Sequence, residues 1–358
     1  MNETTEIRLA KAPYRLPRYL GVAYLLLTAY ACLWPFDELR SIAGGPLEFL
    51  IQPWPRYFIL QDALFNIAGF VPLGFLGLAS LPKALRGRQA VLLVLGACTL
   101  FSFGLEFCQN YLVGRVASNL DLACNALGGL IGALLALRWR GVLAPGGWVY
   151  FWRSRRLPAG RGGEIGILLI LTWWLSQSEP LATLFNNGDL RPIFALSAPI
   201  GFSVKRYIAF EAASVACGLL AFGMFLRCGL RNPSPWLVGL LVLIGVVVKA
   251  LAGFCFVRPA DPWLWAAPGV SWGLLAGCAA LTACWRLRPS TRQAIASFAL
   301  LLSTVLVNLA PGNPFEEASQ HLIRSGHFTG FRGLTLALSL AWPFCALSWL
   351  ALVASRRD

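Results

Sequence analysis

Stretches of about 20 largely apolar residues recur along this 358-residue chain, the length that carries an α-helix across roughly 30 Å of hydrocarbon. They cover residues 19–36, 60–81, 90–111, 119–137, 164–185, 207–226, 236–257, 263–285, 294–310 and 334–353. Backbone amides facing lipid have no water to bond to, which restricts such a chain to helices or a closed barrel. Barrel strands would alternate apolar and polar residues over about ten positions, whereas these runs are continuous. The expected fold is therefore all-α, a polytopic bundle of about ten transmembrane helices. Only 13% of residues are charged, about half the share of an ordinary soluble domain. Ser176, Gln177, Ser178, Glu179 and Pro180 interrupt the fifth span. The first follows a basic start with no small-residue cleavage pattern after it, so it is read as a retained helix.

The net charge of +14 comes from Lys and Arg clusters flanking the spans, which points to topology and away from nucleic acid. Arg8, Lys11, Arg15 and Arg18 precede the first span; Lys83, Arg86 and Arg88 separate the second from the third. Arg138, Arg140, Arg153, Arg155, Arg156 and Arg161 follow the fourth. Arg227 and Arg231, then Arg286, Arg288 and Arg292, then Arg356 and Arg357 continue the alternation with acidic or neutral loops such as 37–56. Twenty of the thirty basic residues thus share one side, and both termini are expected in the cytoplasm. The basic loop 138–163 is the expected linker between a four-helix part, 1–137, and a six-helix part, 164–358. The ten cysteines form no C-x-x-C pair and read as buried free thiols. No cofactor is expected.

Polar residues inside the first spans carry the functional reading, because a charge at the centre of a membrane helix costs about 2.5–3.5 kcal/mol on the insertion scale. Asp62 and Asn66 are four apart, Glu106 and Gln109 three apart, and Asp121 and Asn125 four apart, so each pair shares a helix face. By the orientation above, Asp62 and Asp121 open inward-running helices and Glu106 closes an outward-running one. All three carboxylates then lie in the outer leaflet, with Arg115 in the adjoining loop as the cation expected over them. Gly128 and Gly132 form a small-x-x-x-small pair suited to close helix approach. Clustered acids separate in proton affinity, so one can serve as general acid while another is a base. The same set suits plain binding, with Arg115 on a phosphate or carboxylate, and no nucleophile motif chooses between the two. A purely structural role, hydrogen-bonding helix to helix, is the competing account.

The string D-A-L-F-N-I-A-G-F-V-P-L-G from Asp62 to Gly74, E-F-C-Q from Glu106 to Gln109, Gly114–Arg115, and D-L-A-C-N-A-L-G-G-L-I-G from Asp121 to Gly132 resemble the VanZ-like family of bacterial membrane proteins. The resemblance covers residues 20–137. It implies that Asp62, Asn66, Pro72, Gly74, Glu106, Gln109, Arg115, Asp121, Asn125 and Gly128 occupy family-type positions. Val113 departs from a pattern that often has proline before the Gly-Arg pair. What the resemblance implies is a cell-envelope context, glycopeptide (teicoplanin) antibiotic resistance or exopolysaccharide, without a reaction. By their shared depth and spacing, Asp62, Glu106, Arg115 and Asp121 are the candidate catalytic set and Asn66, Gln109 and Asn125 the candidate substrate contacts. The partner expected is a membrane lipid or lipid-linked envelope precursor, alongside envelope-synthesis proteins. A transporter or flippase, or a non-catalytic partner of an envelope-synthesis complex, are the other functions considered.

Glu179, Glu211 and Lys249 form a second set, in which Lys249 is expected to be neutralised by Glu211 or Glu179, Glu211 lying nearest in depth. His321 and His327 share one outer loop with Glu316 and Glu317, at a spacing that matches no metal motif. The asymmetry of basic residues yields a topological prediction. A reporter fused within 138–163 should read as cytoplasmic and one within 312–332 as extracytoplasmic; both on one side would sink the ten-span arrangement.

Overall fold

The computed structural model describes residues 15–34, 36, 39–41, 45–54, 60–82, 85, 87–113, 115–144, 146–157, 161–257, 259–314, 321–322 and 328–354. They are predominantly helical, and no strand is present among them beyond one isolated bridge between Leu39 and Leu112. Eight of the described helices are long and apolar enough to cross a membrane, and two more, Gly162–Ser176 and Pro268–Ala283, are apolar but shorter. The chain divides into two compact units, Met1–Arg153 with Thr329–Leu334, and Ser154–Phe328 with Thr335–Asp358.

The first unit contains α1 (Leu16–Leu33), the single turn α2 (Glu48–Ile51), α3 (Leu60–Ser80), α4 (Gly87–Asn110), α5 (Asn119–Trp139) and, after a 3₁₀ turn, α6 (Trp148–Arg156), whose last residues belong to the second unit. The spacing of small residues dictates how α3 and α5 meet. A side chain added at Gly128 would collide with the carbonyl of Ile67, one at Gly132 with that of Val71, and one at Gly74 with that of Gly129. The paired rise from 67 to 71 and from 128 to 132 shows that α3 and α5 run parallel, backbone against backbone. In lipid such contact supplies the packing that the hydrophobic effect cannot. Gly129 lies against Cys98 of α4, and Phe70, Leu73, Val94, Leu105 and Ala133 fill the space between the three helices. Tyr24 ties α1 to α3 by donating its hydroxyl to the carbonyl of Gly69 at 2.8 Å.

The second unit holds α7 (Arg161–Ser176), the turn α8 (Arg191–Phe194), α9 (Val204–Gly229), α10 (Pro235–Phe256), α11 (Pro268–Ala283), α12 (Pro289–Leu309) and α13 (Phe328–Ala354), the last with its opening turns assigned to the first unit. Glycines here receive aromatic rings, with Gly245 packed on Trp173 and both Gly166 and Gly229 on Trp349, while Gly218 takes the main chain and Cβ of Phe185. The indoles of Trp174, Trp342 and Trp349 each donate to a main-chain carbonyl at 2.8 Å. The expected fifth span, 164–185, is corrected: α7 stops at Ser176, and residues 177–190 are not helical. Main-chain groups of this stretch are met by side chains, as buried non-helical backbone in a membrane requires. Gln177 Oε1 accepts from Phe185 N at 2.9 Å, Asn308 Oδ1 accepts from Leu190 N at 2.9 Å, and Asn308 Nδ2 donates to Gly188 O at 2.7 Å. Phe185 has a φ of 62°, a strained value for a non-glycine residue, and it is held there between Gln177 and a stack on Trp173. The eighth expected span, 263–285, likewise begins late, because Pro268 sets the first turn of α11.

All ten cysteines are free. The expectation that they are buried holds for Cys98, Cys124 and Cys228, but Cys108, Cys255, Cys278 and Cys345 are exposed. A thiol is apolar enough to stand on a lipid-facing surface.

The α3–α5 contact generates a prediction. Gly132→Leu should push the helices apart and cost about 1–3 kcal/mol, the usual range for overpacking, whereas Gly96→Ala, at a glycine with open space around it, should be close to neutral. Thermal unfolding in detergent compares them, and equal stability would remove the case for backbone contact.

Candidate functional site

The predicted polar residues of the first unit collect where α1 and α4 end and α5 begins, and the helix termini explain how. The last carbonyls of a helix and its first amides have no partner within it. At the end of α1, Gln109 Nε2 donates to Cys32 O at 2.9 Å. Arg115 donates to Trp34 O through Nε at 3.2 Å and Nη2 at 2.6 Å. A cation at the carbonyl end of a helix is also favoured by the helix dipole. Among the described residues Arg115 forms no ion pair, so its expected place over the carboxylates is corrected: it caps α1 while staying within electrostatic reach of Glu106.

At the start of α5 the cap is Ser118, whose Oγ accepts from Leu120 N at 3.2 Å and Asp121 N at 3.4 Å. In the usual reciprocal arrangement the acid three residues on would take the amide of the capping serine. Here that amide donates instead to Glu106 Oε2 at 2.9 Å, an acid brought in from the preceding helix. The Asp121 carboxylate accepts from Asn66 Nδ2 of α3 at 2.7 Å. Glu106 is 3% exposed, and Asp121 lies within its electrostatic reach. Cys32, at the end of α1, feels the charges of Glu106, Arg115 and Asp121 together. One turn deeper, Asn125 Nδ2 donates to Ser102 Oγ at 3.0 Å, while the buried Asn125 Oδ1 has no donor among the described residues.

Of the predicted residues, Glu106, Asp121, Arg115 and Asn66 are thus brought together, with Gln109 and Asn125 on their flanks. Asp62 is not. It is half-buried in the opening turn of α3, and Asn66, one turn further on, makes the link to Asp121 that shared depth alone suggested for Asp62. Ser118 and Ser102 escaped the sequence reading. The spacing of Ser118 and Asp121 carried the signal of a helix start; Ser102 had only its position four residues before Glu106.

In the second unit, of the two acids expected beside Lys249, Glu179 lies near it and Glu211, the one favoured by depth, does not. Lys249 is 2% exposed, and its ammonium donates to the carbonyls of Glu179 and Ala182, main-chain groups of the non-helical stretch after α7. The Glu179 carboxylate lies within its electrostatic reach and accepts from Thr335 Oγ1 at 3.4 Å. Glu211 faces the amides of Gly269 and Val270 at the N-terminus of α11, where a carboxylate is favoured. His321 is described; His327, Glu316 and Glu317 lie outside the described residues.

These features define the class: a multi-pass helical membrane protein whose first unit gathers buried and half-buried polar residues at the ends of three helices. Residues 20–140 match the VanZ/LLP1 family model, a stretch that spans α1 to α5 and the connections carrying Arg115 and Ser118. No curated protein and no solved structure matches the chain.

The second unit's charges generate a prediction. Lys249→Met leaves two buried carbonyls without a donor and should cost about 3–5 kcal/mol, the range for breaking a buried charged pair. In a double-mutant cycle on thermal stability, Lys249 should couple to Glu179, while Lys249 and Glu211 should be additive within about 0.5 kcal/mol. Coupling to Glu211 instead would overturn the assignment to Glu179.

Proposed function

We propose that this protein is an envelope protein of the bacterial inner membrane that receives the polar headgroup of an amphipathic, lipid-linked substrate at the outer leaflet. The observation that carries the reading is the meeting of two carboxylates, Glu106 and Asp121, at the start of α5, with the Arg115 guanidinium in electrostatic reach but bound to a carbonyl. Capping explains Gln109 and Arg115 fully. It does not require a second acid beside a nearly buried first, which is costly in a low-dielectric setting unless a ligand's donors or a proton answer it. The donorless Asn125 Oδ1 supports the same reading by adding a vacant acceptor one turn below. Glu106 and Asp121 would hold hydroxyl or amine donors of the headgroup, or pass a proton between them. Arg115 has N–H groups beyond those on Trp34 and would take a phosphate or carboxylate. Asp62 would stand at the rim as a further acceptor. The match of residues 20–140 to the VanZ/LLP1 family model supports an envelope setting, and glycopeptide (teicoplanin) resistance or envelope polysaccharide synthesis is the context proposed within it.

A transport reading draws on one feature of the second unit, the non-helical stretch 177–190 whose carbonyls surround the Lys249 ammonium. Interrupted helices with such carbonyl groups are how many transporters hold a cation.

Glu106→Gln and Asp121→Asn keep size and hydrogen bonding and remove charge. Mass spectrometry of copurified lipid should show about a tenfold loss of the bound species, equivalent to about 1.4 kcal/mol, with thermal stability unchanged. Lipid and stability falling together would assign the acids to the scaffold. An inactive variant that still retains its lipid would point to lost chemistry over lost recognition.

A further inference from the structure

The segments that join the helices around this cluster are more apolar on their outer surface than water-facing loops need to be. Among their described residues, Leu39 is 77% exposed, Ile51 84%, Trp54 65% and Val116 78%, with Leu50 and Val113 exposed beside them. This surface is shaped by hydrogen bonding. Asn110, at the end of α4, donates to Pro46 O at 3.3 Å, and Asn119, at the start of α5, donates to Gln52 O at 2.6 Å. Between these two latches Phe49 turns inward, 3% exposed, and stacks on Phe103 of α4. With Phe49 committed to the interior, Leu50 and Ile51 of the same turn point out. Arg40 fixes the neighbouring segment by donating from N to Tyr111 O at 2.8 Å, from Nε to Asn110 O at 3.0 Å and from Nη2 to Arg115 O at 3.0 Å. Arg40, Asn110 and Asn119 are thereby turned onto the protein's own backbone, while Leu39, Leu50, Ile51 and Trp54 face the surroundings, with Glu48 and Gln52 exposed among them.

We propose that this rim, residues 39–41, 45–54, 113, 115 and 116, is a lipid-contact surface embedded in the interfacial zone of the outer leaflet. Its occupant is the headgroup and upper acyl region of bilayer phospholipid. The argument is continuity. The rim extends the exposed apolar surface of the spanning helices, where Leu60 is 64% exposed, Leu64 53% and Leu100 70%. It ends in a tryptophan, the residue that favours the membrane–water boundary. Water would be a poor neighbour for so many large apolar side chains fixed on a short, latched backbone. A consequence, which rests on the functional reading above, is that a headgroup reaches Glu106 and Asp121 from within the leaflet, its chains never leaving the bilayer.

The test places a benzophenone amino acid at Ile51, at Val116 and, as a membrane-facing reference, at Leu100, in the full-length protein in nanodiscs of radiolabelled phosphatidylcholine and phosphatidylglycerol. Irradiation should give phospholipid adducts at Ile51 and Val116 within about threefold of the yield at Leu100. Adducts at Leu100 with none at Ile51 and Val116 would place the rim in water and overturn the proposal. The outcome is independent of the headgroup site, since Glu106→Gln leaves the rim intact. Full adduct yields at Ile51 in that variant, with its copurified lipid unchanged, would keep the rim and discard the functional reading.

Discussion

Main-chain groups left over at helix ends govern where the polar residues of the first unit go. In water such groups are satisfied by solvent; in a bilayer each must find a protein partner, and each one unmet costs several kcal/mol. The last carbonyls of α1 are met by Gln109 and Arg115, and the first amides of α5 by Ser118 and Glu106. These assignments sort the charges by sign without any ion pair being needed. The cation sits at a carbonyl end and the acid at an amide end, as the helix dipole favours. That distribution brings Glu106 and Asp121 close, because one acid caps the helix on which the other stands.

Close approach of α3 and α5 makes the arrangement geometrically possible. Asn66 reaches Asp121 at 2.7 Å only because Gly128 and Gly132 let the α3 backbone come into contact below them. Replacing either glycine with a larger residue would separate the helices along the line that carries the polar contact. Packing and polarity are therefore coupled in this unit: the small residues set the distance and the amide uses it.

The helical spans and the glycine stripe were legible in the sequence because both depend on local periodicity, which lipid burial enforces strictly. The alternating direction of the spans also put Glu106 and Asp121 at neighbouring helix ends, where they meet. Partners were not. Arg115 was expected to find a carboxylate, and it found the carbonyl of Trp34, a group that no residue type announces. For Lys249 depth favoured Glu211 over Glu179, yet Glu179 is the acid near it and a main-chain break supplies its hydrogen-bond acceptors. The polar run from Ser176 to Pro180 marked that break as an interruption. What its exposed carbonyls would bind depends on which helix packs against them, and a one-dimensional pattern carries no such information. Asp62 failed for a related reason, because it shares a helix face with Asn66 but stands one turn earlier, and the pattern does not say which of the two will meet Asp121.

The two units meet the same requirement by opposite routes. In the first, regular helices end cleanly and side chains come to the ends. In the second, α7 ends within the apolar region and the unwound chain turns its carbonyls toward a lysine on α10, while Glu211 serves the amide end of α11. A lysine is suited to this role because its three donors can address several carbonyls at once, and because its long apolar stem packs among hydrophobic neighbours before the charge is reached. The cost is that an ammonium held by carbonyls is charge-balanced only by what lies near it, here the Glu179 carboxylate, whose own main-chain oxygen is one of the ligands. One residue thus contributes both the dipole that solvates the cation and the charge that neutralises it, so the helix break and the ion pair stand or fall together.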